Sequence, residues 1–190
     1  LGMFFWQNNT WLPLVAEGWE FKVGADDTEV ALPVEGEDYA PVNNAPGDAD
    51  YLVVKIREGV NFSDGTPLTA QDVVDTMWCA RIMSNTVWRY IDDAQVVDDH
   101  TLSVHMSVPS TVVERYVIRN MVPVSSATYG EWAQQARDIF GDGKTIDDPE
   151  GAQLLDQFNQ FRPETLPANT GPFSIDPDSI TNAQMTLEKN

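Results

Sequence analysis

The segment 51–83 constrains the fold of this chain more than any other stretch, because it predicts a strand, a turn and a helix in direct succession. Residues 51–57 (YLVVKIR) are rich in β-branched side chains and alternate toward their end, which is typical of a strand. The tripeptide 63–65 (SDG) favours a turn. Thr69, with Asp72 three residues later, resembles the capping box that begins a helix. The sequence therefore predicts mixed α and β structure.

The predicted helix covers residues 70–83, where apolar side chains recur every three or four positions. This spacing places them on one face, which we expect to be buried. The apolar positions are Ala70, Val73, Val74, Met77, Trp78 and Ile82. Cys79, the only cysteine, lies inside this pattern and is predicted to be a small core residue. One cysteine also excludes an intrachain disulfide and a cysteine zinc cluster.

The remaining predicted elements are a hairpin, three further helices and two closing strands. They cover residues 91–97 with 101–106, then 112–117, 129–140 and 149–161, and finally 173–175 with 183–188. A chain of 190 residues is long enough for one domain, or at most two small ones. We therefore interpret residues 1–190 as a single α+β domain with a small mixed or antiparallel sheet and about four packed helices.

Negative charge limits the partners of this chain. Thirty Asp and Glu residues against eleven Lys and Arg leave a formal charge of −19 and a pI near 4.1, which disfavours nucleic acid and anionic membrane surfaces. Residues 23–50 hold eight of these acids and no basic residue. Scattered Gly and Pro predict a loop there. A calcium-binding loop is one interpretation, but a solvated insertion is favoured because no calcium-loop spacing occurs.

No catalytic centre is predicted. The chain lacks the G-x-S-x-G pattern of a hydrolase nucleophile, and its two imidazoles are His100, in a predicted turn, and His105, on the wet face of a predicted strand. The tripeptide 143–145 (GKT) lacks the first glycine of a phosphate-binding loop. Acids at 92–93 and 98–99 are better explained as solvated strand ends than as a metal site. We therefore predict neither a metal nor a cofactor.

Residues 57–74 closely resemble the signature of the dipeptide, oligopeptide and nickel-binding family of extracellular solute-binding proteins, family 5, the receptors of ABC importers. The matching residues are Gly59, Phe62, Asp64, Gly65, Pro67, Thr69, Ala70, Asp72 and Val73. Three other parts of the chain agree in order with family segments. They are residues 12–20, residues 96–102, and residues 169–173 with Gly171 and Pro172, followed by an L-x-x-N at 187–190.

This resemblance implies a fold and a function. Family members are two-lobed clamps longer than this chain, so residues 1–190 are expected to be an excised subdomain of the N-terminal lobe, with 23–50 as an insertion. The implied function is a non-catalytic substrate-binding component that delivers peptides or related solutes to a membrane permease. The implied location is periplasmic or extracellular, with lipid anchoring through a preceding segment as one route of attachment. The isolated chain is expected to be monomeric.

Two other functions and one candidate site stay open from the sequence. A cell-surface interaction module is suggested by the acidic stretch and by the aromatic residues before it, and a hydrolase domain is the third reading. Trp88 and Tyr90, just after the first predicted helix, are our candidates for facing the ligand. The competing interpretation is that these two rings pack against the strand near Ile91.

Overall fold

A computed structural model describes residues 1–7, 10–34, 36–39, 47–119, 121–181 and 183–189. The strands in this part of the chain are β1 (Gly2–Phe5), β2 (Thr10–Pro13), β3 (Ala16–Lys22), β4 (Tyr51–Ile56), β5 (Asp93–Asp98), β6 (Thr101–His105), β7 (Phe173–Ile175) and β8 (Leu187–Lys189). The α-helices are α1 (Ala70–Ile82), α2 (Thr111–Glu114), α3 (Ser126–Phe140) and α4 (Pro149–Gln160). A π-helical turn, Arg115–Arg119, continues α2. The predicted α+β class is confirmed.

The main sheet has four strands in the order β3-β4-β6-β5, and every neighbouring pair is antiparallel. Its centre is apolar because the strands carry Val, Leu, Ile and Trp at the positions that face the helices. Val54 of β4 lies between Trp19 of β3 and Leu102 of β6, and all three side chains are fully buried. Two separate ribbons, β1-β2 and β7-β8, complete the strands.

Helix α1 covers the sheet through the face that the sequence predicts. Its apolar positions from Ala70 to Ile82 are buried, and the Trp78 indole N–H donates to the carbonyl of Ala94 in β5 at 3.1 Å. The backbone N–H and the hydroxyl of Thr69 both donate to the Asp72 carboxylate, at 2.9 and 3.0 Å. The predicted helix and its capping box are confirmed.

Polar groups of α1 also hold the start of helix α3. Asp72 accepts a hydrogen bond from the Ser126 backbone N–H at 2.8 Å, and the Thr76 hydroxyl accepts one from the Val124 N–H at 2.9 Å. Both side chains are buried, so they satisfy backbone groups that could not reach water. Helix α1 therefore sets the position at which α3 begins.

The acidic stretch returns to the core at one aromatic residue. Tyr39 stacks edge-on against Trp19 with ring centroids 4.8 Å apart. Its hydroxyl accepts from the Trp19 N–H at 2.9 Å and donates to the Trp19 carbonyl at 3.0 Å. Trp11 continues the stack 5.1 Å from Trp19, and its N–H donates to the Tyr39 carbonyl. This anchor, and the β1-β2 ribbon beside it, are not predicted from the sequence.

Several boundaries differ from the sequence predictions: β5 is Asp93–Asp98 where 91–97 is predicted, and α3 begins at Ser126 where 129 is predicted. The second helix, predicted over 112–117, is a short α-helix that passes into the π-helical turn. The last strand is Leu187–Lys189, whereas the prediction began it at 183. Asn190, part of the L-x-x-N segment, and residues 40–46 of the acidic stretch lie outside the described residues. Among the described residues, no helix is long and apolar enough to cross a membrane.

Candidate ligand-facing surfaces

The loop of the signature segment is held together by its own hydrogen bonds. Asp64 accepts from both the backbone N–H and the hydroxyl of Thr66, at 2.9 and 2.6 Å, and these bonds lower the pKa of its carboxyl. Gly59 and Gly65 have φ of 75° and 85°, in the left-handed region that a residue without a side chain adopts readily. The Phe62 ring is buried beneath the loop. These residues shape the loop and leave no reactive group on it.

Two of the segments that resemble the family meet at this loop. The Ser63 backbone N–H donates to the Asn169 carbonyl at 2.8 Å, and the Asn169 N–H donates to the Ser63 hydroxyl oxygen at 3.2 Å. The Asn169 side chain in turn accepts from the Gly171 N–H at 3.0 Å. Residues 106 apart in the chain are thereby joined. Pro172 follows Gly171 and leads into β7.

Two adjoining cavities lie where these segments meet, and we call them together the signature groove. One, of about 330 Å³, is polar, and the other, of about 480 Å³, is more apolar. Both are lined by Ser63, Leu166, Pro167 and Ser174; Asp64, Ser125 and Thr128 line the first, and Phe173, Ile175 and Pro177 the second. Hydroxyls, one carboxylate and an exposed ring suit hydrogen bonding and stacking with a polar solute.

A third cavity, of about 480 Å³, lies between the N-terminal ribbon and the acidic stretch. Phe5 and Leu12 of the ribbon and Pro33 and Tyr39 of the acidic stretch supply apolar walls, while Glu37 and Asp38 add acidic groups. Burial raises the pKa of the Tyr39 hydroxyl to about 12, so this phenol stays protonated at neutral pH. An apolar cavity with acidic groups favours neutral or cationic solutes over anions.

The two predicted ligand-facing residues lie elsewhere. Trp88 is 7% exposed, 4.6 Å from the Trp78 ring, and its indole N–H donates to the Met77 carbonyl at 3.0 Å. The Arg81 guanidinium covers the ring at 5.5 Å. Trp88 is therefore buried against helix α1, and these contacts do not involve the strand near Ile91. Tyr90 is half-buried and lines none of the three cavities described above, so its contact with a ligand stays a prediction.

His105 and Cys79 line none of the three cavities. His105 contacts Asp92 at 2.5 Å at the end of β6, and both side chains are partly exposed. Burial raises the pKa of the Cys79 thiol to about 12, which keeps it in the unreactive protonated form. Within the ranges that the structure describes, no three His, Cys, Asp or Glu side chains converge as a metal site.

Residues 11–190 match the family described as bacterial extracellular solute-binding proteins, family 5 Middle. The chain belongs to this family. No match was found among the curated proteins.

Solved structures resemble the whole chain at low identity, which supports the fold alone. The mannohexaose-bound periplasmic oligopeptide-binding protein of Thermotoga maritima is 22% identical, with a TM-score of 0.60 over 100% of this chain and 27% of that one. The binding protein AgaA with agropinic acid, from A. tumefaciens R10, is 18% identical with a TM-score of 0.53. NikZ with Ni(L-His), from Campylobacter jejuni, is 13% identical with a TM-score of 0.53. Each of these two matches covers 100% of this chain and 29% of the solved chain.

Proposed function

We propose that this chain is part of the substrate-binding component of an ABC importer, which captures a peptide or related solute and delivers it to a membrane permease. The observation that carries the proposal is the family match over residues 11–190. Because the chain spans 27% of the Thermotoga maritima protein, we further propose that residues 1–190 are one α+β part of a longer, two-lobed receptor. Its role is binding without catalysis.

The proposed location is the periplasmic or extracellular face of the cell membrane, with attachment by a lipid anchor as one arrangement. The charge of −19 keeps such a domain away from anionic headgroups while the receptor meets its permease. Peptides are the proposed solute class. The matched structures hold mannohexaose, agropinic acid and Ni(L-His), so these three compounds are the natural competitors in a test.

Calorimetric titration tests the proposal on the full-length receptor and on the 190-residue chain. A mixed library of di- to pentapeptides, mannohexaose, agropinic acid and Ni(L-His) are the probes. We expect submicromolar binding of one class by the receptor, with peptides first, and at least about a hundredfold weaker binding by the chain, since a clamp buries most of its ligand only between two surfaces. Submicromolar binding by the isolated chain would contradict the two-surface argument.

A pair of variants tests whether the signature groove contacts the solute. Phe173 is 55% exposed and lines the groove, whereas Met185 is 60% exposed and lines none of the three cavities. In the full-length receptor, Phe173→Ala should weaken solute binding by about tenfold through lost stacking area. Met185→Ala should leave binding unchanged. Equal affinities for both variants would remove the groove from the binding surface.

A protein-interaction module remains the second candidate function, on one observation. Met3, Phe5, Leu12 and Leu14 are each at least 40% exposed on or beside the β1-β2 ribbon. Apolar side chains grouped on a surface mark interaction sites. Stable complex formation between the isolated chain and a protein from the same cell, together with no solute binding by the receptor, would favour this function over transport.

A further inference from the structure

Two arginines converge on one exposed tryptophan at the edge of the N-terminal ribbon. The Arg115 guanidinium carbon lies 4.8 Å from the centroid of the Trp6 ring, and that of Arg119 lies 5.8 Å from it. Trp6 is 61% exposed and rests edge-on against the buried Phe4 ring, 4.8 Å away, over which Arg115 also lies at 5.0 Å. We call Trp6, Arg115 and Arg119 the arginine platform.

The π-helical turn Arg115–Arg119 brings the two guanidinium groups together. Residues four apart on a helical turn lie on nearly the same side, so both arginines point at the ribbon. Glu114, the acid next to Arg115, is turned into the core, where its Oε1 accepts from the Trp19 indole N–H at 2.8 Å. π-helical turns occur often at functional sites.

Neither guanidinium has a carboxylate within 4.0 Å in the described part of the chain, whereas Lys22, Arg57, Arg137 and Lys144 each have one. Other basic side chains, such as Arg81 and Arg162, also lack such a partner there, so the feature particular to Arg115 and Arg119 is that their guanidinium groups share one ring. Two like charges that share one ring repel each other, and an anion placed between them would remove that repulsion. Arginine is well suited to hold a carboxylate through paired N–H donors.

The charge of the whole chain decides which anion fits. A net charge of −19 repels polyphosphates, nucleic acid and acidic protein surfaces before they reach the platform. A ligand with a single carboxylate, such as a short peptide with uncharged side chains, is repelled far less than these polyanions. The exposed face of Trp6 also offers apolar contact beside the charge.

We propose that the arginine platform binds a carboxylate attached to an apolar or aromatic group, the C-terminal residue of a short peptide being the ligand. Arg115 and Arg119 hold the carboxylate, and Trp6 packs against the side chain. The choice of a peptide terminus rests on the proposed function, but the carboxylate site itself rests only on the geometry of these three residues.

A matched pair of probes tests the platform on the 190-residue chain. N-acetyl-L-phenylalanine carries the carboxylate, and N-acetyl-L-phenylalaninamide has the same ring without the charge. Affinities are measured by NMR titration, following the Trp6 indole N–H. We expect the acid to bind about tenfold more tightly than the amide, because the paired bonds to a charged carboxylate are lost in the amide.

Variants assign this preference to the two arginines. The double variant Arg115→Gln, Arg119→Gln should lower the acid-to-amide affinity ratio to about one, since only the uncharged stacking contact remains. Arg162→Gln, at an exposed arginine after α4, is the control and should keep the full ratio. A loss of folded protein would lower the affinities for the acid and the amide equally, so it would not change the acid-to-amide affinity ratio. The dispersed indole signals of the buried tryptophans report folding directly.

Three results would overturn the proposal. They are equal binding of acid and amide by the wild-type chain, a ratio unchanged in the double variant, or tighter binding of a capped tetraglutamate than of N-acetyl-L-phenylalanine. The last result would assign the platform to an acidic protein partner. The platform is tested with the acid and amide probes on the 190-residue chain, whereas the proposed function is tested with transport solutes on the full-length receptor. A negative result in one test therefore does not contradict the other proposal.

Discussion

The signature segment and the acidic stretch are both loops in part, yet they are held in opposite ways. In residues 57–69 the loop closes on itself through short-range hydrogen bonds, in which Phe62 and Asp64 both bond Thr66, and Ser63 adds a long-range bond to Asn169. In the described residues between 23 and 39 most side chains point to solvent, and Tyr39 provides a long-range anchor through Trp19. The turn of the first loop is formed by its own residues, whereas the second stretch depends on contacts with the sheet.

The contrast predicts which changes are costly. A loop that leads into a capped helix should lose most stability when a buried side chain of that helix or its cap is removed. A solvated stretch should tolerate changes except where it contacts the sheet, at Tyr39 and around Ala31. The five changes below test this contrast, beginning with the largest expected loss of unfolding free energy.

Trp78→Ala should cost the most, about 3–5 kcal/mol, because it opens a cavity in the core between α1 and the sheet. Trp78 is 2% exposed and also donates to the Ala94 carbonyl. Denaturant unfolding measures the loss. Met83→Ala, at a residue 63% exposed just after the same helix, is the control and should change stability by less than about 0.5 kcal/mol. A loss under about 1 kcal/mol for Trp78→Ala would contradict the helix phase.

Asp72→Ala should cost about 2–3 kcal/mol, because it removes the cap of α1 and leaves the Ser126 backbone N–H without its acceptor. Chemical denaturation again measures the effect. The exposed Met83→Ala, just after α1, should cost less than about 0.5 kcal/mol. If the two variants were equally stable, Asp72 would not join α1 to α3 in the way described.

Tyr39→Phe should cost about 2 kcal/mol, since the ring remains but the buried Trp19 N–H loses its acceptor. Val34→Ala, in the same acidic stretch and 62% exposed, should be close to neutral. Thermal and denaturant unfolding of both variants measure the contrast. A neutral Tyr39→Phe would mean that the acidic stretch has no anchor at this ring.

Gly65→Val should cost about 1 kcal/mol or more, because a β-branched residue is strained at φ of 85°. Nothing lies within 4 Å of a Cβ placed there, so the backbone alone accounts for the loss. Thermal melts measure it, with the exposed Glu58→Ala as the control for substitution in this loop. Identical melts for Gly65→Val and wild type would refute the strained turn.

Glu114→Gln should have the smallest effect, and its sign should depend on pH. Burial raises the pKa of the Glu114 carboxyl above its ordinary 4.5, although the Trp19 indole and Arg115 act in the opposite direction. The folded state therefore holds this proton more tightly than the unfolded state. The resulting stability is fully present below the ordinary pKa and is lost as pH rises through the folded one.

The glutamine keeps an acceptor for Trp19 and has no charge to bury. We expect the unfolding free energy of the variant to rise relative to that of the wild type as the pH increases from about 4 to about 7. Denaturant unfolding at several pH values measures the difference. The exposed Glu131→Gln on α3 serves as the control. A difference that stays constant with pH would contradict the raised pKa.

Much of the fold follows from local pattern. The helix at 70–83 was predictable because a three-and-four spacing, a cap and buried apolar side chains agree. The hairpin around residues 98–100 was predictable because alternation flanks a short turn. The β1-β2 ribbon was not, since its dense aromatic residues obscure alternation and its partner strand is needed to show which ring faces inward.

The candidate sites divide in the same way. The role of 57–74 as a shaped loop was readable because its turn and cap residues act on near neighbours. Trp88 and Tyr90 are candidates for facing the ligand because they follow a helix, but sequence position does not show whether a ring is buried by the rest of the domain or faces solvent. The arginine platform had no local signal, because Trp6 and the two arginines are far apart in the chain.

The α+β class, the capped helix, the hairpin and the family resemblance follow from the sequence, because each depends on residues a few positions apart whose periodicity and turn chemistry are local. Three contacts appear only in the folded chain: Tyr39 bonds Trp19, Ser63 bonds Asn169, and Arg115 and Arg119 share the Trp6 ring. These contacts join distant segments, and their partners are selected by packing in three dimensions, which no local pattern records.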